Sequence, residues 1–384
     1  MHDWMSIQRQ IEGCVEKRID MQQRFFEAIR KKVDIFEGEL SANWEKWKSI
    51  VLLSSKTAPD FDEAPSTTYM VDPNPQPGVM IATDGSQIFP NKHEISPLAL
   101  ITVSRIKIDY KNYQDMPLMD SKAWVLMSED LRENLEKERE ISMEDLVSDR
   151  RTLLEMDILA EIAEEQAKVE NSPPIIALCD GSLILWRLAE RFEKKYEKTI
   201  VEDFVKHLHR LQSCGALVAG YISGSNSREV MNLIQLVEES IQPDLFDNEI
   251  DDPIVIDTVL FGRILKPGQR STLFHSQSKI LKQKYGDQRI SYFYLNVDDE
   301  IAKVEIPQWI AQDKQLVDQT AAHCLRQAKL GGGYPVVLAE SHEHAVVRGP
   351  DRETFYTLVE ESLRRKQLDP HSSAKQMRKR TAIL

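Results

Sequence analysis

One short pattern occurs twice in this chain. Val79-Met80-Ile81-Ala82-Thr83-Asp84-Gly85-Ser86 and Ile175-Ile176-Ala177-Leu178-Cys179-Asp180-Gly181-Ser182-Leu183 are both apolar runs that stop abruptly in Asp-Gly-Ser. A short apolar run bounded by turn residues reads as a buried strand. Glycine then allows a sharp turn or a close approach of the backbone to a ligand. Each Asp is therefore predicted at the carboxyl end of a buried strand, where the sites of α/β folds collect. If the strands are neighbours, Asp84 and Asp180 face each other at one sheet edge. Two such carboxylates repel each other, and a divalent cation relieves the repulsion. A single copy reads equally well as an ordinary Asp-Gly turn; two copies in the same context point to a metal site.

The rest of the chain narrows the setting. Its 384 residues suggest two domains or one large domain with insertions, and 41% hydrophobic with 29% charged residues is an ordinary globular balance. The formal net charge of -13 excludes a general attraction to nucleic acid, so any such site must be a local basic patch. Cys14, Cys179, Cys214 and Cys324 lack metal-finger spacing. With no signal peptide and no long apolar segment, they are expected as reduced thiols in a cytoplasmic protein without membrane contact.

Residues 1–54 are predicted helical, with Ile7, Ile11, Val15, Ile19, Phe26, Ile29, Val33, Phe36 and Leu40 along one face. That face packs on its own domain or on a second subunit. Residues 55–78, with Pro59, Pro65, Pro73, Pro75 and Pro77, read as a linker or surface loop. The main α/β domain is predicted at 79–362. In it Leu98–Tyr110 is a strand antiparallel to the first, 128–170 an acidic helical stretch, and Ala216–Ser225 and Ile290–Val297 further strands. Helices are expected near 186–213, 227–239, 257, 313–329 and 351–366. Gly331-Gly332-Gly333-Tyr334-Pro335 breaks the chain, and His342 and His344 after it read as alternate positions on a strand. Residues 363–384 form a basic tail, expected to be a frayed end.

Oxygen ligands suit Mg²⁺ or Mn²⁺, and a histidine among them tips the balance towards Mn²⁺. Two such ions roughly 3.5–4 Å apart can drive phosphodiester hydrolysis. The helix before Asp180 offers Glu155, Asp157, Glu161, Glu164 and Glu165; Glu155, set among Leu153, Leu154 and Met156, is expected to point inward. Aspartyl-phosphate chemistry is excluded, because Ala82 and Leu178 occupy the positions where its nucleophilic Asp would stand. A Gly-x-x-x-x-Gly-Lys-Ser/Thr loop is absent, and Ser86 and Ser182 lack a Gly-x-Ser-x-Gly context.

From about residue 79 to 360 this order of motifs resembles the NurA nuclease family. The resemblance is carried by Ala82–Ser86, the Arg151/Glu155 helix, Leu178–Ser182, Gly220–Ser223, and Tyr334-Pro335 followed by Leu338, His342 and Ala345. It implies an RNase H-like mixed sheet flanked by helices, here with an added N-terminal helical region. It implies a Mn²⁺- or Mg²⁺-dependent deoxyribonuclease, 5′→3′ exonuclease and single-strand endonuclease, acting in DNA end processing and repair. A ring-shaped homodimer and a HerA-type hexameric translocase are the implied partners, with single-stranded DNA and duplex ends as substrates. The family's metal-binding Asp residues fall on Asp84 and Asp180. Its Glu falls on Glu155, with Glu161 the alternative, its His on His342, with His344 the alternative, and its Tyr on Tyr334. The competing reading is a catalytically silent RNase H-like clamp that binds DNA or a translocase.

Because phosphate contacts carry DNA affinity, an acidic protein must concentrate its basic residues. Lys266, Arg270, Lys279, Lys282 and Lys284, between 263 and 286, are the expected surface. A two-fold dimer would join two such surfaces around a channel, with the N-terminal helix in the contact.

Overall fold

The two Asp-Gly-Ser runs form parallel neighbouring strands. In a computed structural model that describes residues 3–53, 58–90, 98–112, 116–127, 131, 141–189, 195–241 and 254–366, β2 (Val79–Thr83) pairs with β6 (Ile175–Asp180) from Val79↔Ile175 to Thr83↔Cys179. Every residue of β2 is buried, as expected of a parallel strand covered on both faces. The chain divides into one unit of residues 1–75, 181–184 and 219–334 and a second of 76–180, 185–218 and 335–384.

The second unit is built on the duplicated strands. β4 (Leu98–Asp109) runs antiparallel to β2, with Val79↔Asp109 through Ala82↔Ile106. The same register continues into β3 (Gly85–Ile88), with Gly85↔Val103 through Ile88↔Leu100. The chain therefore does not turn after Asp84, contrary to one reading of Gly85. β5 (Leu118–Met127) completes the meander along β4. Helix α3 (Met143–Ala167) then leads to β6. Ser142 caps it by accepting the Asp145 N–H, and Leu153, Leu154, Ile158, Leu159 and Ile162 form its buried side. Three antiparallel strands, a helix, and a strand parallel to the first make the RNase H-like order, and the sheet is mixed as expected. α4 (Lys195–Ser213), α10 (Val336–Ala345) and α11 (Gly349–Arg365) complete this unit. β7 (Leu217–Ile222) starts in it and continues into the other.

The first unit holds α1 (Trp4–Ile35), which runs through a π-type turn at Phe36–Leu40 to α2 (Trp44–Leu53). After β1 (Thr68–Met70) it takes in α5 (Glu229–Ile241), α6 (Asp257–Ile264), β8 (Gln269–Ser271), β9 (Phe274–His275) and α7 (Lys279–Lys284). β10 (Ile290–Asn296), β11 (Ile301–Pro307), α8 (Gln308–Ala311) and α9 (Lys314–Leu330) follow. Ile29, Phe36 and Leu40 from the N-terminal segment are buried in one core with Trp47, Phe61, Phe261, Phe274 and Tyr294. The earlier stripe of Trp4, Ile11, Val15 and Ile19 stays exposed.

β11 was not anticipated, because Lys303 and Glu305 interrupt its apolar pattern. Both are buried on one face, where Lys303 Nζ lies 2.9 Å from Glu229 Oε2 and 3.3 Å from Glu305 Oε1. Mutual neutralisation lets them sit where single charges could not. Arg270 is likewise not part of a basic surface. Its side chain is 4% exposed, is paired with Asp318 at 2.7 Å, and lies over the Tyr69 ring at 4.2 Å. A guanidinium held by a carboxylate and an aromatic face is unavailable to DNA. Lys266, Lys279 and Lys282 are exposed. The expectations for 132–140, 251–253 and the tail beyond 366 lie outside the described residues.

Candidate active site

Asp84 stands between β2 and β3, opposite Ser104 of β4. Its N–H donates to Ser104 Oγ at 3.0 Å, and the Ser104 N–H donates to the Asp84 carbonyl at 2.8 Å. Ser104 is fully buried, so the backbone under Asp84 is fixed from the neighbouring strand. Of its carboxylate, Oδ1 accepts the Gly85 N–H at 2.8 Å and Oδ2 lies 3.0 Å from His342 Nδ1. Asp180 ends β6, one residue beyond the Thr83↔Cys179 pair. It is exposed, and the parallel register that pairs Thr83 with Cys179 carries Asp84 and Asp180 to neighbouring strand ends.

Glu155 arrives from α3. Thr83 Oγ1 donates to the Glu155 carbonyl at 3.0 Å, which seats the helix on β2 at this residue. One turn earlier, Arg151 Nη1 donates to the Gly85 carbonyl at 3.1 Å and to Gln87 Oε1 at 2.9 Å. Arg151 Nε lies 3.2 Å from Glu155 Oε1, yet both atoms are buried without an aligned hydrogen bond. Burial pushes the Glu155 carboxyl up to about 7; Arg151 opposes the rise, and the charges of Asp84 and Asp180 add to it. The same surroundings push the Cys179 thiol up to about 12, mainly by burial, which excludes it as a thiolate.

His342 lies on helix α10, not on a strand. Pro335 caps that helix and Val336 opens it, so the β-branched Val336-Val337 pair is overruled by its start signal. The helix separates the two histidines, since positions i and i+2 face different ways. His342 reaches Asp84, whereas His344 Nδ1 turns back to the Glu340 carbonyl at 2.8 Å. Glu161 is taken by Lys122 at 2.8 and 2.9 Å. Asp157 and Glu164 both pair with Arg210. Tyr334 belongs to the first unit, where its ring meets Tyr221 edge to face at 5.8 Å. The second unit thus brings Asp84, Glu155, Asp180 and His342 together. Sequence reasoning missed Ser104, which shows only as a small polar residue in an apolar strand.

Among the described residues no three His, Cys, Asp or Glu side chains already converge as a cage for a metal ion. The donors nevertheless suit one. A buried carboxylate oxygen without a hydrogen bond, an elevated proton affinity and two further carboxylates at the ends of two adjacent strands are what a hard divalent cation would satisfy. Asp84, Glu155 and Asp180 would supply oxygens, and His342 a nitrogen beside Asp84.

A family model described as the NurA domain matches residues 78–347. The chain belongs to the NurA family. No curated protein matches it. Among solved structures it is similar to LC9-RNase H1, described as a type 1 RNase H with the type 2 active-site motif. That match has 13% identity over 43% of this chain and 73% of that one, with a TM-score of 0.23. Drosophila Piwi matches with 12% identity over 71% of this chain and 30% of that one, at a TM-score of 0.29. Likenesses this distant carry no argument about chemistry, and the fold rests on the strand order itself.

In this NurA-family chain the Asp-Gly-Ser glycines serve different ends. Gly181 takes a left-handed φ of 98°, so it is a turn glycine. Gly85 is extended, and a Cβ there would press on Glu155 Oε1 and come within 2.6 Å of Arg151 Cγ. Gly85→Ala is accordingly expected to destabilise the protein by about 1–3 kcal/mol through overpacking. Urea denaturation measures this, and an unchanged midpoint would show that α3 can give way.

Proposed function

We propose that this chain is a metal-dependent nuclease that hydrolyses DNA phosphodiesters. It would act 5′→3′ from ends and on single strands in DNA end processing. The observation that carries the reading is Glu155: a half-buried carboxyl whose buried Oε1 lacks an aligned hydrogen bond, pushed up to about 7 beside two strand-end aspartates. Such perturbed clusters mark functional sites, and family membership gives this one its chemistry. When bound, Mn²⁺ or Mg²⁺ supplies positive charge against the phosphodiester and lowers the pKa of water. Asp84, Glu155 and Asp180 hold the ions. The Ser104 and Gly85 contacts orient Asp84, Arg151 steadies Glu155, and solvent-facing His342 moves a proton or adds a ligand. Exposed Lys266, Lys279 and Lys282 support a local DNA contact within an acidic protein. The exposed stripe on α1 supports assembly into a homodimer, and a HerA-type translocase is the partner the family suggests.

The test is incubation of purified protein with labelled single-stranded DNA, and with duplexes blocked at either end, in Mn²⁺, Mg²⁺ or EDTA. Cleavage that needs the metal and stops at a 5′ block is expected, with Asp180→Ala as the control for contaminating nuclease. No cleavage by the wild-type protein would favour the silent clamp, and cleavage in EDTA would overturn the metal requirement.

A further inference from the structure

The serine of the first Asp-Gly-Ser has no part in the chemistry above, yet its hydroxyl is fully engaged. Ser86 Oγ donates to the Ala345 carbonyl at 2.5 Å and accepts the Val347 N–H at 3.1 Å. Ala345 is the last residue of α10, whose final carbonyls have no partner within the helix. Ser86 therefore closes the end of the helix that carries His342.

The geometry of the two elements makes this more than a local cap. Asp84 and Ser86 are two apart along one strand, so their side chains share a face. His342 and Ala345 are three apart on α10, one turn of helix. The strand thus grips the helix at two successive points, Asp84 on the His342 ring and Ser86 on the Ala345 carbonyl. Gly85 and Gln87 are bonded instead by Arg151 from α3. Beyond the clamp, Val347 packs against the cluster of Ile88, Phe355 and Val359, which secures the departing chain on the same strand. The second copy of the motif is wired differently. Ser182 donates to Glu305 Oε2 at 2.7 Å and accepts the Ile184 N–H at 3.0 Å, both within the first unit.

We infer that Ser86 is a positioning residue that fixes the last turn of α10, and through it sets His342 against Asp84. This rests on the proposed nuclease reading, but the contact itself can be read without activity.

The experiment labels histidine rings with ¹³C and follows His342, assigned with His342→Ala, by NMR in wild type, Ser86→Ala and Ser86→Thr, each with and without Asp84→Asn. In wild type, Asp84→Asn is expected to shift the His342 ring signals. In Ser86→Ala the signals should already be displaced, with little further change from Asp84→Asn, and Ser86→Thr, which keeps the hydroxyl, should restore the wild-type pattern. In the DNA cleavage assay Ser86→Ala should lower the rate about 10–100-fold, the usual size of such supporting contacts. It should lower it no further in a His342→Ala background. Should Ser86→Ala fail to fold, Ser86→Cys, which keeps the volume with a weaker donor, is read the same way. Ring signals in Ser86→Ala that still respond to Asp84→Asn as in wild type would overturn the inference, and so would losses that simply multiply. An inactive wild-type protein whose His342 signals follow the expected pattern would reject the nuclease reading alone.

Discussion

Replacing Asp84 with alanine is expected to lower metal-dependent DNA cleavage by about 10³-fold or more, equivalent to roughly 4 kcal/mol of transition-state stabilisation. In the proposed reading Asp84 would supply negative charge to the ions; it also contacts the His342 ring and is itself fixed by Gly85 and Ser104. Asp84→Asn separates these roles. The amide can still accept the Gly85 N–H, but the charge is gone, so activity should fall nearly as far while the fold persists. Both substitutions remove one of the charges that raise the Glu155 carboxyl, so metal-free Asp84→Asn should be slightly more stable than wild type at pH 8. Loss of activity together with gained or unchanged stability identifies a functional residue. Activity within tenfold of wild type in Asp84→Asn would remove Asp84 from the metal shell.

The second large effect is a pH dependence of stability that traces to Glu155. Its carboxyl lies at about 7 in the folded protein against an ordinary 4.5. The folded state therefore binds this proton more tightly than the unfolded chain does. Below pH 4.5 both states carry the proton and there is no penalty. Between 4.5 and 7 the unfolded chain ionises first, so metal-free stability falls as pH rises, and above 7 the loss is complete. A difference of this size corresponds to roughly 3 kcal/mol. Glu155→Gln should flatten this slope and raise the melting temperature of the metal-free protein at pH 8, while abolishing most cleavage. Divalent ions should recover the lost stability in wild type, with proton release, and not in the variant. Thermal unfolding at pH 5 and pH 8, with EDTA and with Mn²⁺, measures all of this. An equal slope in both proteins would place the titration elsewhere.

What could be read ahead of the structure follows physical lines. The β2 and β6 strands were legible because Val79–Ala82 and Ile175–Leu178 are unbroken apolar runs just before Asp-Gly. Glu155 was legible because its neighbours are apolar, so the helix had to bury that side. The helix carrying His342 was not, since Val336-Val337 reads as strand and only Pro335 signals otherwise. β11 was hidden by Lys303 and Glu305, whose burial depends on Glu229 from a distant segment. Arg270 looked like a surface cation because Tyr69 and Asp318, its partners, are far away in sequence. Local pattern showed the elements that stand on their own residues, and missed those whose polar groups are matched across the chain.

Asp84 and His342 meet across 258 residues of sequence. A ribosome delivers the amino-terminal part of a chain first, and domains generally fold as they emerge. β2 and β6 can pair well before α10 has been synthesised, but until then Asp84 lacks His342 and Ser86 lacks the Ala345 carbonyl. Polypeptides released early by stalled translation would thus carry the carboxylates without their histidine. The setting of Asp84 is therefore completed only when α10 has been added to the sheet.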